Sequence, residues 1–334
     1  MKRREIILAA AALAAAPFAR AQAPKLPIVA YVFGQRTDAE MAGPDPKHPH
    51  ARAFVHRLRE LGWEDGRTVT LERYGPGNSA ARTQEILADL AARKVAVIYA
   101  TSAAGGKVVG KMAADATRTV PIVFAGGTDP VAMGLVASLA RPGGNVTGLA
   151  TAVDVESAGK LPELLQAIVP GAAKVAFLVT SLFRKSTEAM RQAVATRLKL
   201  QLTVLEVDNA NQLDEALDRV TRERADGLVV GSLGFLFSQA PRLVAFAAER
   251  RIPAVYAFPE AVDAGGLAAY GIDFLELNRR GADYVNRILR GAKPAELPVE
   301  LPRKFEMVLN LKTARSLGIR IPQSVLLRAD RVVE

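Results

Sequence analysis

The residues Lys94–Ser102 (KVAVIYATS) and Lys174–Ser181 (KVAFLVTS) decide the fold of this 334-residue chain. Each is a short apolar run ending in Thr-Ser, which is typical of a buried strand that leads into a loop. A second pair follows in the same order, Val120–Ala125 (VPIVFA) and Ile252–Ala257 (IPAVYA). The order of the two pairs predicts that the second half of the chain repeats the architecture of the first.

Strands and helices alternate around these repeats. The runs Pro27–Phe33 and Thr68–Glu72 have the composition of strands, and Phe54–Leu61 has apolar residues at the i, i+1, i+4, i+7 spacing of a helix. Such alternation indicates parallel sheets covered by helices. We therefore predict an α/β fold of two doubly wound parallel-sheet lobes joined by a multi-strand hinge.

Three stretches mark where the chain is expected to cross between the lobes. Two are glycine-rich, Gly143–Gly148 and Gly265–Gly271, and the third is Phe305–Asn310. Glycines at such crossings absorb the dihedral changes of hinge closure. The expected N-terminal lobe comprises residues 26–148 plus about 272–292, and the expected C-terminal lobe 149–271 plus about 303–334.

Residues 1–21 have the pattern of a secretory signal peptide. Basic residues at Lys2–Arg4 precede an apolar run at Ile6–Phe18 and a small-x-small cleavage site at Ala19–Ala21. The apolar run is shorter than the ~20 residues that a membrane-spanning helix needs. The two arginines also fit a twin-arginine signal loosely, so the export route stays open. This pattern predicts an exported, soluble, periplasmic protein.

Cysteine content and charge narrow the function further. The chain has no cysteine, which excludes disulfides, thiolate metal sites and a lipid-modified N-terminal cysteine. Its net charge of +10 falls to +7 without residues 1–21, which carry four basic side chains and one acidic one. The basic residues are scattered and aromatic residues make up only 6%. We therefore expect no nucleic-acid partner, and the charge favours an anionic ligand.

Ligands of open parallel sheets bind beyond the carboxyl ends of the strands, which selects a few loops. In the first lobe, Thr101, Ser102 and Ala103 open a loop before a helix, where hydroxyls and free amides suit an anion such as a carboxylate. N-capping is the alternative role of the two hydroxyls. Asp129 either pairs with a ligand ammonium or caps a helix that has Pro130 at its first position.

The second lobe has three loops in corresponding places. Each follows a predicted strand, and together they supply candidate polar and aromatic contacts to a ligand: Ser181, Phe183, Ser232, Phe235, Phe258 and Glu260. The serines are candidates for hydrogen bonds to a polar head group. The three phenylalanines are candidates for packing on its apolar part, with ordinary core packing as the alternative.

Motifs for catalysis and metal binding are missing or weak. His48, His50 and His56 cluster near Asp45, but the first two lie in a proline-rich loop, and zinc needs converging ligands. The loop Gln35–Pro49 is alternatively a roof over the cleft. The chain has no H-E-x-x-H, and Val230 stands where a G-x-S-x-G motif needs glycine. We predict a protein that is not an enzyme and that has no cofactor or metal.

Several stretches resemble the ABC transporter substrate-binding proteins, in the group that includes binders of tryptophan and other aromatic amino acids. The most specific is Ser138–Gly148 (SLARPGGNVTG). The others occur in the family's order along nearly the whole mature chain: Leu58–Gly66 (LRELGWEDG), Val120–Phe124, Asp129–Val131, Ala264–Gly271 (AGGLAAYG), Ile288–Val299 (ILRGAKPAELPV), Asn310–Pro322 (NLKTARSLGIRIP) and Arg328–Asp330.

The resemblance implies a type I periplasmic-binding-protein fold that captures a small molecule without chemistry. It implies ligand contacts from Thr101, Ser102 and the following amides, from Asp129 and from the second-lobe loops. Two loops depart from the family pattern: Gln35–Pro49 is longer, and Thr180–Arg184 lacks an expected Asn-Pro. Both are expected to face the cleft.

The predicted function is capture of an amino acid or related small carboxylate by a monomer that delivers it to an ABC permease in the inner membrane. Two alternatives stay open at this point. One is a binding module for a membrane sensor, and the other is an exported α/β hydrolase-like enzyme.

Overall fold

A computed structural model describes residues 25–104, 107–127, 129–151, 155–181, 191–192, 194, 196–231, 235–302 and 304–334. Side chains of 103–107 and 155–158 are outside this description, and so is the predicted signal peptide. In the described ranges, no helix is both long and apolar enough to cross a membrane.

The first sheet has five strands, all parallel, in the order β2-β1-β3-β6-β7. Their bounds are β1 Ile28–Phe33, β2 Thr70–Tyr74, β3 Val97–Thr101, β6 Ile122–Ala125 and β7 Val146–Leu149. The central strands β3 and β6 are buried along their whole length, as expected for apolar runs with helices on both faces. The register sets Tyr31 beside Tyr99 and Phe33 beside Thr101. A separate hairpin pairs β4 Ala103–Ala104 with β5 Lys107–Val108.

The second sheet has seven strands in the order β14-β13-β12-β11-β10-β8-β9. Their bounds are β8 Lys174–Val179, β9 Gln201–Glu206, β10 Gly227–Val230, β11 Ala254–Tyr256, β12 Ala268–Ile272, β13 Phe305–Asn310 and β14 Arg331–Val333. One pairing differs from the parallel prediction, because β13 runs antiparallel to β12. Between these two strands the chain visits the first lobe, so β13 enters the second sheet from the hinge end.

Twelve α-helices connect the strands in the described residues, and their bounds are α1 Asp38–Met41, α2 Pro49–Glu60, α3 Ala80–Ala92, α4 Val109–Ala116, α5 Val155–Ile168, α6 Ala210–Arg222, α7 Phe235–Ser238, α8 Ala240–Glu249, α9 Glu260–Asp263, α10 Phe274–Leu289, α11 Leu311–Leu317 and α12 Gln323–Leu326. A 3-10 turn spans Pro294–Glu296. The amphipathic helices bury one apolar stripe each. In α6, for example, the buried residues Leu213, Ala216, Leu217 and Val220 repeat at helical spacing.

Helix α10 belongs to the first lobe although it follows most of the second lobe in sequence. Its residues Leu277 and Tyr284 share a buried cluster with Phe54 and Tyr99. A Cβ on Gly281 would lie 2.4 Å from the Tyr99 hydroxyl, so the close approach of helix and sheet requires glycine there. The chain thus crosses between the sheets after β7, after β12 and before β13. The residue limits proposed for each lobe stay a prediction.

Candidate ligand-binding cleft

The loop that follows β1 forms the first-lobe wall of the cleft. Strand β1 ends at Phe33, and the chain then carries Arg36, His48 and His50 before α2 is complete. A capping box at the start of α1 fixes the loop, since the Thr37 amide and hydroxyl both donate to Glu40 Oε2, at 2.8 and 2.9 Å. This loop therefore presents its side chains from a defined backbone at the carboxyl end of the sheet.

A direct hydrogen bond joins the two lobes. His50 Nε2 lies 2.8 Å from Glu260 Oε1, and Glu260 is the first residue of α9, shortly after β11 ends. The His50 side chain is only 6% exposed, and that of Glu260 is 34% exposed. The two lobes therefore face each other closely at this place.

Aromatic rings surround this hydrogen bond. The ring of Phe237, on α7 of the second lobe, lies 5.1 Å from Phe258, 6.0 Å from Phe274 and 6.3 Å from His50. The Arg36 guanidinium lies 5.6 Å from the Phe33 ring and 5.9 Å from the Phe237 ring, so rings from both lobes flank it. Flat apolar walls beside a partly buried cation suit a ligand with both polar and apolar parts.

Several buried polar atoms at the cleft have no hydrogen-bond partner among the described residues. They come from both lobes and lie at strand ends or in the loops after them: Arg36 Nε, His48 Nδ1, Thr101 Oγ1, Thr180 Oγ1, Tyr256 Oη and Glu260 Oε2. A seventh such atom, Arg73 Nη1, lies on β2 beside Asp65. Buried polar groups are normally paired, so a cluster of unpaired ones in a cleft indicates a binding site for a polar molecule.

The charges in this cluster are nearly balanced at neutral pH. Burial, with added repulsion from Arg36 and His50, lowers the pKa of His48 to about 2, so its imidazole is neutral. Burial also raises the pKa of Tyr256, which keeps its hydroxyl protonated. One cation, Arg36, and one carboxylate, Glu260, are thus the charged groups whose buried atoms lack partners at the cleft in the described residues.

The four first-lobe residues selected from the sequence occupy different settings. Thr101 ends β3 and is 3% exposed, whereas Ser102 has a left-handed backbone with φ of 68°. Ala103 lies in β4, and its side chain is outside the described residues. Asp129 is exposed, and its Oδ1 accepts from the amides of Val131 and Ala132 at 3.1 and 2.9 Å. The helix predicted to follow it is wrong, because residues 130–134 form a turn.

The second-lobe residues selected from the sequence also differ in their settings. Ser181 is exposed and its amide donates to Asp208 Oδ1 at 3.0 Å. Phe235 packs against the second-lobe core, and Phe258 is fully buried against Phe237. Glu260 contacts the opposite lobe. Phe183 and Ser232 lie outside the described residues. The ligand contacts assigned to this set and to the first-lobe set stay predictions.

Four of the six residues with unpaired buried atoms at the cleft were not among the predicted ligand contacts: Arg36, His48, Thr180 and Tyr256. The rule that ligands bind beyond strand ends points to the first two, because they lie in the loop after β1. His56 pairs instead with Asp45 on the surface, at 3.0 Å. Among the described side chains, no group of three or more His, Cys, Asp or Glu is placed to hold a metal ion.

The sequence matches a family model described as "ABC transporter substrate binding protein" over residues 48–333. The chain belongs to this family. The resemblance inferred from the sequence motifs is thereby confirmed, and so is the prediction that the protein is not an enzyme, since the family consists of solute-binding proteins.

A relative of this substrate-binding protein is named as a tyrosine-binding protein, and a similar solved structure contains L-Trp. It is 27% identical to a tyrosine-binding protein of Clostridioides difficile (strain R20291) over 271 residues, which are 80% of this chain and 76% of the relative. Among solved structures, the ABC domain in complex with L-Trp from Streptococcus pneumoniae has a TM-score of 0.78 at 24% identity, covering 92% of this chain and 100% of that one.

A ligand-free, open structure of a Clostridium difficile substrate-binding protein with adhesive properties has a TM-score of 0.68 to this substrate-binding protein. The identity is 23%, and the match covers 92% of this chain and 99% of that one. These structural matches confirm the predicted fold of two α/β lobes of the periplasmic-binding type.

Proposed function

We propose that this substrate-binding protein captures an amino acid between its lobes and delivers it to an ABC importer. One observation carries the proposal: the cleft holds an unpaired cationic donor, Arg36 Nε, and an unpaired carboxylate oxygen, Glu260 Oε2, from opposite lobes. An amino acid carries a carboxylate and an ammonium on adjacent atoms, which complement one group of each sign.

The rings around the cleft narrow the class of amino acid. Phe33 and Phe237 flank the Arg36 guanidinium, and Phe258 and Phe274 pack against Phe237. Apolar and aromatic walls favour a ligand with a large apolar side chain, because burial of such a chain is itself stabilising. The tyrosine-binding relative and the structure solved with L-Trp support this choice. Aromatic amino acids are therefore the first ligands to test.

Delivery requires a protein that changes shape when it binds. A ligand that bridges both lobes stabilises the closed arrangement over the open one by its differential affinity, and the closed form is then available to the permease. The N-terminal pattern of Lys2–Ala21 supports export to the periplasm, where such a protein meets an importer. We expect deletion of the gene in its source organism to reduce uptake of the labelled ligand.

A thermal-denaturation screen of the protein without residues 1–21 tests ligand capture directly. The panel contains the twenty common amino acids in the L form, beginning with tyrosine, tryptophan and phenylalanine, with D-enantiomers as matched controls and simple organic acids as comparators. A ligand at a hundredfold excess over its dissociation constant stabilises the fold by roughly 2.7 kcal/mol, which raises the melting temperature measurably. The proposal expects a shift with at least one L-amino acid and none with its D-enantiomer. No shift with any of the twenty amino acids would contradict it.

A further inference from the structure

The carboxylate of Glu260 has two oxygens in different situations. Oε1 lies 2.8 Å from His50 Nε2, while Oε2 is buried and has no partner among the described residues. A buried carboxylate oxygen is costly to leave unpaired. The protein therefore supplies a hydrogen-bond partner to only one of the two carboxylate oxygens. The other oxygen suits a donor that belongs to the ligand, above all a cationic one.

Arg36 has the opposite requirement on the other wall. Its Nη1 lies 3.6 Å from Glu40 Oε1, and its Nε is buried without a partner in the described part of the chain. Rings of Phe33 and Phe237 flank the guanidinium and limit its rotation. A guanidinium N–H held in this way suits a carboxylate oxygen better than a cation or an apolar group.

The two requirements together define an orientation. We propose, resting on the proposed function, that the amino acid lies with its carboxylate at Arg36 of the first lobe and its ammonium at Glu260 of the second, and that His50 is a positioning residue that holds Glu260 for the ammonium. Arg36 and Glu260 form no ion pair within 4.0 Å with each other in the described residues, so each is available to the ligand.

His50 makes the ammonium site depend on lobe closure. It belongs to α2 of the first lobe, whereas Glu260 belongs to α9 of the second, so their contact exists only while the lobes face each other at this distance. Closure therefore orients Glu260 Oε1 toward His50 and directs Oε2 toward the ligand. Recognition of the ammonium is then coupled to closure of the lobes. A compound that lacks the ammonium therefore gains less binding free energy when the lobes close.

Three matched ligands separate the two ends of the molecule. L-Tyrosine carries both charged groups, tyramine keeps only the ammonium, and 3-(4-hydroxyphenyl)propionate keeps only the carboxylate. If the thermal screen favours tryptophan, tryptamine and indole-3-propionate take the same roles. Dissociation constants are measured by isothermal titration calorimetry for the wild type and for Arg36→Gln and Glu260→Gln, which remove charge with little change in size.

The proposal expects crossed effects. Glu260→Gln should weaken the binding of the amino acid and of the amine by about tenfold to a hundredfold, the usual loss for a hydrogen bond to a charged group. It should change the affinity for the acid by less than about threefold. Arg36→Gln should weaken the binding of the amino acid and of the acid by the same factor and leave the affinity for the amine unchanged. Equal losses for all ligands in both variants, or the reverse pattern, would overturn the orientation.

His50→Phe tests the positioning role and keeps a ring of similar shape in the aromatic surroundings. It should weaken the binding of the amino acid and of the amine by about threefold to tenfold and leave the affinity for the acid unchanged. A merely structural role would weaken all three ligands alike and would overturn the assignment. His56→Gln, on the same helix but at the surface, is the matched control and should change none of the three affinities.

A crystal structure of the amino-acid complex provides the second measurement, which decides the matter if the one-ended analogues bind too weakly to titrate. The carboxylate within 3.5 Å of Arg36 Nε and the ammonium within 3.5 Å of Glu260 Oε2 would support the orientation, and the opposite arrangement would overturn it. The failure of the proposed function differs from both results, because the wild type would then bind no amino acid at all.

Discussion

Two polar clusters in this molecule differ in whether all of their buried polar atoms have hydrogen-bond partners. Inside the first lobe, the amide of Asn278 joins β1, β3 and α10: Oδ1 accepts from the hydroxyls of Tyr31 and Tyr99 at 2.9 and 3.1 Å, and Nδ2 donates to the Phe274 carbonyl at 2.8 Å. The residues Tyr31, Tyr99 and Asn278 are buried, and all of these polar atoms are paired. At the cleft, Arg36, His48 and Glu260 are also partly or wholly buried, but each retains a buried atom without a partner among the described residues.

The difference separates the polar groups that stabilise the fold from the groups that we propose contact the ligand. A buried network stabilises a fold only when its members are satisfied, as around Asn278. Unpaired atoms cost stability and are retained where a bound molecule completes them. Both clusters meet at Phe274, whose carbonyl accepts from Asn278 and whose ring lies 5.6 Å from His50. Substitutions in the two clusters should therefore have opposite profiles in stability and in binding.

The largest expected effect comes from breaking the satisfied cluster. Asn278→Leu would leave two buried tyrosine hydroxyls without an acceptor, and we expect the free energy of unfolding to fall by about 2–5 kcal/mol. Chemical denaturation of the ligand-free protein measures this change. The control is the triple variant that adds Tyr31→Phe and Tyr99→Phe. It should recover most of the lost free energy of unfolding, because no buried hydroxyl is then left without an acceptor. A triple variant less stable than the single one would contradict the account.

A smaller effect concerns acid pH at the cleft. The pKa of His48 is about 2 in the folded chain against an ordinary value of 6.5, so protonation favours the unfolded chain. The penalty is absent above pH 6.5 and grows as the pH falls below it. Between pH 7 and pH 5 it amounts to about 1–2 kcal/mol after allowance for solvent screening.

His48→Gln should therefore lose less stability than the wild type between pH 7 and pH 5, by that amount. Denaturant titrations of both proteins at the two pH values measure the difference. Identical losses in the two proteins would show that the imidazole of His48 takes up its proton in the folded state at an ordinary pH. That result would remove the basis for a neutral His48 at the cleft.

The smallest effect is expected at the surface pair of His56 and Asp45, whose side chains are 41% and 65% exposed. Exposed pairs are worth about 0–1 kcal/mol. His56→Gln should shift the free energy of unfolding by no more than about 0.5 kcal/mol and leave ligand affinity at the wild-type value. An affinity loss as large as that of His50→Phe would mean that position along α2, rather than contact across the cleft, governs binding.

The repeated strands explain why the fold could be predicted from the sequence. Lys94–Ser102 and Lys174–Ser181 each contain a central buried strand, β3 and β8, and buried strands are apolar for their whole length, which leaves a clear local signal. The antiparallel β13 left no such signal. Its direction follows from the chain's path through the first lobe after β12, which no local pattern records.

The cleft was less predictable because its side chains are brought together by tertiary contacts. Glu260 was selected from its place after a strand, but its partner His50 is 210 residues away in sequence. Arg36 was passed over, since its role depends on the capped turn at Thr37 and on Phe237 from the other lobe. The rule that ligands bind beyond strand ends selected these loops, and their ligand contacts stay predictions, whereas side-chain pairing across the lobes requires the assembled structure.

The late position of α10 in the chain has a consequence for how the protein is made. The first-lobe core needs Leu277 and Tyr284, so the segment that starts at Ile28 stays incomplete until about 260 further residues have been synthesised. Neither lobe is one continuous piece of chain, and a nascent polypeptide cannot finish the first before most of the second exists. Both lobes therefore stay unfinished on the ribosome for most of the synthesis of this chain, and folding of each lobe is completed only late.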